Sequence, residues 1–524
     1  MTLKIISLAL PLLLFLAFLQ IFSIPSAHAL QALWVRQFGT GGTDRVIGTS
    51  VDASGMYVVG HTGLEGYIRK YDTSGTLLWD NQINSSGFKF DIASAVVADG
   101  TAVYAVGTTP GTLPGQTSSG ATDSFIIKYD TNGNEIWTRQ FGTTIDDFAN
   151  SVVMADSGSI FVAGQISNSQ TGFFDGFLRK YDTDGNLIWT KQFGTSTADF
   201  VTGVAADGTG VYTGGFTFGT FPGQTSAGSF DAFIRKHDFN GDEIWTRQFG
   251  TSTQDLALGL TADATGVYIV GSTGGTLPGE SVSSGAFIRK YDTAGNEIWT
   301  RQFNSSSGFA ATVALAAAAD GTNVFVSGHI AFAFPGHVSS GSIDAFVRMY
   351  DANGTLLSTR QFGTENSDSA AAISVDGAGI YVGGMTSGTM PEQTNEGLDD
   401  AFIAKLSKTP NIEPIAANDN ATTSVNQSVT VTVITNDSDP DPDMFSFLKV
   451  ISNTQGAHGS INLMPDNSLK YTPQCGFLGN DSFTYTIVDN AGGSATATVN
   501  VAIAAGPPAD PGRPESPSAP CETH

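Results

Sequence analysis

Residues 243–250 read Glu-Ile-Trp-Thr-Arg-Gln-Phe-Gly, and the same octet stands at 135–142. At 297–303 it returns with Asn304 in place of the glycine. Working outward, the relaxed form aromatic-x-Arg-Gln-Phe-Gly begins at Trp34, Trp79, Trp137, Trp189, Trp245, Trp299 and Ser358, the copies at Trp79 and Ser358 being degenerate. The spacings are 45, 58, 52, 56, 54 and 59 residues. A period near 50 held over this many copies marks a repeat architecture. Whatever recurs seven times is scaffold, so function is to be sought where the copies differ.

One unit supplies four strand-length runs: Ile244–Gly250, Leu256–Asp263, Val267–Gly271 and Ala286–Asp292. Each is rich in β-branched or aromatic residues and bounded by turn formers, with no sustained helical spacing. Four short strands per ~50 residues predict a β-propeller blade and an all-β fold. An Asp followed closely by Gly separates the second and third strands, as at Asp52/Gly55 and Asp263/Gly266. A tight Asp-x-x-Gly joins the fourth run to the next Trp strand, its Asp at 72, 130, 182, 238, 292 and 351. Turns this short join neighbouring antiparallel strands. The array opens with a Trp strand (34–38) that has no partner before it. It closes with Ala401–Leu406, which has none after it. Pairing these two halves gives a seventh blade, closes the ring and removes two exposed edges.

Trp-x-Arg-Gln-Phe-Gly, Val-Tyr-Val-x-Gly and Asp-Ala-Phe-Ile-x-Lys-Tyr-Asp together resemble the bacterial β-propeller repeat family called SBBP, over about 370 residues. The resemblance implies an exported or surface-associated propeller and transfers no catalytic residue. WD-type and kelch signatures are absent from the sequence.

The full chain has 524 residues, only 14% of them charged, with a net charge of −25 and a pI near 4.4. That balance disfavours nucleic acid, whose affinity comes largely from neutralised phosphates. It suits solubility outside the cell and cation binding, although most Asp residues sit at repeated turn positions. Lys4 is the only charge before a nearly continuous apolar run, Ile5 to Phe22, and Ala27-His28-Ala29 offers a small-x-small cleavage site. Residues 1–29 are therefore expected to be a cleaved signal peptide, with an uncleaved anchor as the alternative. No later segment is expected to span a membrane. Cys475 and Cys521 are the two cysteines. In an exported chain they are candidates for a disulfide, with two free thiols or intermolecular pairing left open.

After a linker at 407–415, residues 416–503 change pattern. Runs at Ser428–Ile434, Phe447–Ile451, Ser468–Thr472, Ser482–Val488 and Ala495–Ile503 alternate apolar and polar residues, predicting a small β-sandwich. Ala-Asn-Asp (417–419), Thr-Asn-Asp-Ser-Asp-Pro-Asp (435–441), Tyr-Thr-Pro (471–473) and Gly-Phe-Leu-Gly-Asn-Asp-Ser-Phe-Thr-Tyr-Thr-Ile (476–487) resemble the bacterial Ig-like, cadherin-like modules of surface proteins. Residues 504–524, with six prolines before Cys521, read as a disordered tail.

Three features carry candidate chemistry. The acidic run 436–443 can converge on a hard cation such as calcium, with Asp437, Asp439 and Asp441 as the ligands and Asp481 or Asp489 as helpers. A proline-stiffened, solvated loop is the competing reading. Gly-Thr-Leu-Pro-Gly-Gln-Thr-Ser-Ser-Gly (111–120) recurs at 219–228 and, altered, at 275–285, 333–341 and 388–397. It is missing from the first unit (61–66) and replaced in the third. These loops fall on one face of a ring and make it uneven, which offers an asymmetric binding site unless they are mere connections. The Arg-Lys pairs and repeated Trp read as blade packing and solvated strand faces. The histidines lack metal-triad spacing, and no Gly-x-Ser-x-Gly, Walker or dinucleotide motif occurs.

The sequence thus predicts an exported, monomeric, non-enzymatic binding or adhesion protein. Its partner would be an extracellular glycan, an envelope component or a protein, with calcium as the one candidate cofactor. The rivals are an extracellular lyase or hydrolase with its site in the propeller channel, and a structural spacer.

Overall fold

The computed structural model describes residues 30–506, except 88–89, 156–157, 169, 307–311, 336, 411, 441–447 and 490–492. The expected signal segment and the Pro-rich stretch from 507 onward lie outside the described residues. The described chain is all-β, its one helical turn being the four-residue 3-10 turn Val433–Asn436. No helix among the described residues is long and apolar enough to cross a membrane.

Between Leu30 and Pro410 the strands form seven four-stranded antiparallel sheets, propeller-like in arrangement. Six consist of four consecutive strands, such as Asp255–Asp263, Gly266–Thr273, Gly285–Tyr291 and Glu297–Phe303. The remaining sheet combines Asp368–Asp376, Gly379–Thr386 and Asp400–Pro410 with the first strand, Leu30–Phe38. There Val35 pairs with Ala404 and Phe38 with Ala401. In each sheet the first strand, beginning after a Phe-Gly-Thr-type turn, is innermost and the Trp strand outermost.

The side chains of the repeat have separate jobs. Trp245 Nε1 donates to Thr293 O (3.2 Å) and Arg247 Nε to Gly295 O (2.7 Å), so the outer strand of one sheet grips the Asp-x-x-Gly hairpin of the next. The same clasp joins Trp34 to Thr73, Trp79 to Thr131, Trp137 to Thr183 and Trp299 to Ala352. The lysine of the Arg-Lys pair reaches the same carbonyl, Lys236 Nζ to Thr293 O at 2.9 Å. Arg289 stacks on Phe249 of the preceding sheet, its guanidinium carbon 4.1 Å from the ring centroid. These cations are packed between sheets rather than solvated: Lys236 and Arg289 are buried. The Gln of the motif works within its own sheet. Gln248 Nε2 donates to Asp231 Oδ2 (2.8 Å) and Gly219 O (2.9 Å), tying down the long loop.

The clasp explains the degenerate copies. After Asn81 replaces Arg, its Nδ2 still donates to Gly133 O at 2.6 Å. Ser358 lies on the strand facing the sheet made from both ends of the array, where no covalent hairpin exists to be gripped. A Trp there has no turn carbonyl to meet.

Every innermost strand carries a register shift at the same place, between Val46 and Gly48 and between Ala257 and Gly259 in two of the copies. Such a bulge leaves one residue out of the ladder and bends the strand. The residue after it is small in all seven sheets: Gly48, Ala95, Ser151, Gly203, Gly259, Ala316 and Ala372. At Gly259 an added Cβ would lie 2.7 Å from Leu315 O, because the neighbouring inner strand passes this close.

From Asp419 to Ala504 the chain forms two sheets. One orders Asp419–Ser424, Ser494–Ala504, Gly479–Val488 and Lys449–Asn453, and the other orders Val429–Val431, Leu469–Pro473 and Gly459–Leu463. Val433, Leu469, Tyr471, Tyr485 and Val499 fill the core between them. The sequence reading lacked two of these strands, Asp419–Ser424 and Gly459–Leu463, both polar and short of β-branched runs. It also extended a strand over 432–434, where the chain turns instead and Thr435 Oγ1 donates to Thr432 O (3.0 Å).

Candidate functional site

Because the repeats share their scaffold, the site is defined by the positions at which they diverge. The long loops and the Phe-Gly-Thr turns occupy the same end of the sheets. Each long loop is pinned by a buried apolar side chain, Leu113, Phe221, Leu277, Phe334 or Met390. The loop then accepts from the next sheet, as when Asp255 N donates to Phe230 O (3.0 Å) and Asp44 N to Asp399 O (2.8 Å). Much of each loop is therefore connection. A buried aspartate stands at the start of six of the seven inner strands, Thr312 replacing it in the other, and caps the preceding turn: Asp255 Oδ2 accepts from Thr251 N at 2.6 Å and Asp368 Oδ2 from Thr364 N at 2.7 Å. Burial pushes the Asp368 carboxyl up to about 6.

One residue further along each inner strand the pattern breaks. The cross-strand pairs at this level are Arg45 with His61, Ile92 with Thr108, and Phe148 with Gln165. They continue with Phe200 and Phe216, Leu256 and Ser272, Val313 and His329, and Ser369 and Met385. No two pairs are alike. The loop-bearing end is consequently uneven in chemistry as well as in loop length.

Two regions stand out there. Phe148, Phe174, Phe200, Phe216, Phe230 and Phe218 form a chain of rings across two adjacent sheets, with successive centroids 4.0–6.1 Å apart. Phe218 is 45% exposed. Beside the first unit, whose turn at 62–65 is short, lies a cavity of about 530 Å³ bordered by Arg45, His61, Leu315, His329 and Met385. His61 Nδ1 lies 3.2 Å from Gly63 O and His329 Nδ1 3.1 Å from Ser369 Oγ. Burial holds both imidazoles below the usual histidine range.

The channel between the inner strands is lined by the bulge residues Ile47, Ser94, Asn150, Thr202, Leu258, Leu315 and Ala371 and their neighbours. None of the described residues lining it is ionisable. Two of its polar members reach the next sheet: Asn150 Nδ2 donates to Val201 O (2.7 Å) and Thr202 Oγ1 to Ala257 O (3.0 Å). The channel shares Ile47, Leu315 and Ala371 with the cavity bordered by Arg45, His61, His329 and Asp368, so the titratable groups stand at its loop-bearing end.

The sequence-predicted metal residues are spread over different jobs. Asp437 Oδ1 accepts from Ala417 N (2.7 Å) and from Tyr485 Oη (3.0 Å), and its carboxyl is raised, first by burial. Asp419 is raised by burial and by the nearby Asp437 charge. Asp439 is half-buried, and Asp441 lies outside the described residues. Asp481 accepts from Ala457 N, His458 N, Tyr471 Oη and Ser482 N, all within 3.0 Å. Asp489 accepts from Gly493 N at 2.8 Å. Both proposed helpers thus serve backbone geometry. Among the described residues no group of three or more acidic, His or Cys side chains is arranged for a metal. Cys475 is disulfide-bonded; Cys521, its expected partner, lies outside the described residues.

Sequence reasoning located the uneven face through its loops but missed the paired positions beneath them. The signal was present: the residue after the Gly of Val-Tyr-Val-x-Gly is His, Thr, Gln, Phe, Ser, His or Met.

Residues 411–502 match the bacterial Ig domain family. The chain is 24% identical over 323 residues to the regulatory protein FlaEY of Caulobacter vibrioides, covering 56% of this chain and 30% of that protein. It is 49% identical over 55 residues to the protein GAMETE EXPRESSED 2 of Arabidopsis thaliana, covering 10% of this chain and 6% of the relative. The matches thus span less than a third of those relatives' own lengths. Among solved structures, the WD40 domain of Neurospora crassa Pan2 is similar with a TM-score of 0.45 at 9% identity, over 73% of this chain and 98% of that one. The propeller domain of the Trilobed protease from Pyrococcus furiosus gives 0.39 at 10% identity, over 71% and 94%. The family match places a bacterial Ig domain at 411–502, after sheets whose strand order is propeller-like.

Proposed function

We propose that this chain is an exported, non-enzymatic binding protein: an SBBP-type propeller of seven blades, closed by its own first and last strands, that engages an extracellular partner through its loop-bearing face. The carrying observation is the contrast between a clasp repeated at five tryptophans and seven unlike residue pairs at one end of the inner strands. A scaffold that only spaced other domains would have no reason to concentrate variation there. The pairing of Leu30–Phe38 with Asp400–Pro410 supports closure, and the Ig domain match supports an extracellular setting.

The phenylalanine row makes the face adhesive, since a partly exposed aromatic cluster gains free energy when covered. The test is a binding screen of the full chain against cell-wall polysaccharides, envelope proteins and surface glycans, run beside a Phe218→Ser/Phe230→Ser variant. Binding that the variant loses is the expected result. Absence of any binding partner, or equal binding by both proteins, would overturn the reading.

A further inference from the structure

The cavity beside the short turn differs from the rest of the loop-bearing face in being concave and largely apolar. Its walls come from three neighbouring sheets, with Ile47 and His61 on one side, Met385 in the middle and Leu315 and His329 on the other, and Ile92 completing it from a fourth. At about 530 Å³ it falls in the size range of small-molecule pockets, which are mostly apolar with a few placed polar groups. It exists because the first unit has only the turn 62–65 where other units carry a ten-residue loop.

The polar groups define what fits. His61 Nδ1 faces the Gly63 carbonyl, which can only accept, so Nδ1 carries the hydrogen and Nε2 is left as an acceptor. His329 makes its contact through Nδ1 as well, to Ser369 Oγ. The charged groups nearby are balanced rather than open. Half-exposed Arg45 lies 3.7 Å from Asp399, which offsets its charge, and the buried Asp368 carboxylate accepts from Thr364. A charged ligand would lose hydration without gaining an open counter-charge, a cost that apolar walls do not offset. We propose that this cavity is a binding site for an uncharged small molecule with an apolar body and one hydroxyl or N–H donor, the donor meeting His61 Nε2. This deepens the binding-face reading above and rests on it.

The test uses the full chain and three matched probes in isothermal titration calorimetry at pH 7.5: 4-butylphenol, butylbenzene and 4-butylbenzoate. The phenol is expected to bind, butylbenzene to bind roughly three- to tenfold more weakly for want of the hydrogen bond, and the benzoate to bind most weakly. His61→Phe should bring the phenol down to the level of butylbenzene. Leu315→Trp, or Met385→Trp if the first melts early, should fill the cavity and abolish binding of both. The inference falls if the phenol does not bind, if the benzoate binds best, or if a cavity-filling variant with wild-type melting still binds. If the probes fail while a partner found in the wider screen is still lost on Phe218→Ser/Phe230→Ser, the cavity proposal falls alone and the binding face stands.

Discussion

At position 237 five sister sheets place a tyrosine, and this one places a histidine that is 2% exposed. The ring packs 5.4 Å from Phe193 and its Nε2 lies 3.2 Å from Thr213 Oγ1. Burial, aided by the Arg235 charge, lowers its pKa from 6.5 to about 3. A folded-state pKa below the unfolded value means that protons bind the unfolded chain more readily. Stability is therefore whole above pH 6.5 and is lost as pH falls toward about 3. At pH 4.5, two pH units below the unfolded pKa, the penalty is about 2.7 kcal/mol at ~1.36 kcal/mol per unit. With ~2.1 cal/mol/K of unfolding entropy per residue over roughly 380 residues, this corresponds to ~3 °C in melting temperature. His237→Tyr removes the titration and installs the residue of the sister sheets. There Tyr291 and Tyr350 set their hydroxyls 3.4 Å from the arginine two residues earlier. Urea unfolding of both proteins at pH 7.5 and pH 4.5 isolates the effect from the many carboxylates they share. The variant should gain about 2.7 kcal/mol on the wild type between the two pH values. An unchanged difference would refute the assignment of a neutral, buried imidazole.

Three further expectations bear on the scaffold and the Ig domain. Gly295→Ala puts a Cβ at φ +84° and 2.8 Å from Trp245, whereas Gly279→Ala meets φ +85° with nothing within 4 Å. Both should pay ~1 kcal/mol for the backbone, and the first a further ~1–3 kcal/mol for crowding the clasp; equal losses in urea unfolding would dismiss the clasp as an energetic feature. Arg36→Pro, in the strand that pairs with Asp400–Pro410, removes a ladder donor, because Gln37 N faces outward to Gln393 Oε1 and its neighbour Arg36, opposite Ile403, faces the ladder; it should cost ~3 kcal/mol or more. It should also expose edges that show as oligomers in sedimentation, and a monomer of wild-type stability would speak against closure by these strands. The calcium expectation for Asp437, Asp439 and Asp441 predicts that millimolar-range calcium raises, and chelator lowers, the melting temperature of the full chain. A melting temperature indifferent to both would remove it.

Much of the candidate site was legible before any coordinates, but as position rather than as contact. The short unit at 61–66 and the divergent loops pointed to one uneven face. Which side chains lie beneath that face depends on a bulge in each inner strand. Sequence alternation does not announce a bulge whose following residue is simply small, as Gly48, Ala95 and Ala316 are. The metal expectation shows the reverse limit. Asp481 and Asp489 look available in an acidic segment, yet in the sandwich both carboxylates are consumed by backbone amides.

The sequence alone determined the architecture. Period, turn chemistry and two complementary half-units point to an all-β propeller-like array followed by a sandwich, the arrangement that gives each half-unit a partner strand. Tertiary structure decided what each repeated residue is for. Trp and Arg act between sheets, on carbonyls some 50 residues away, and Gln acts within a sheet. Those partners are set by the distance between neighbouring sheets, which no local pattern encodes. The cavity beside His61 is likewise a property of four sheets at once, formed where one loop is short and by side chains brought together from both ends of the array.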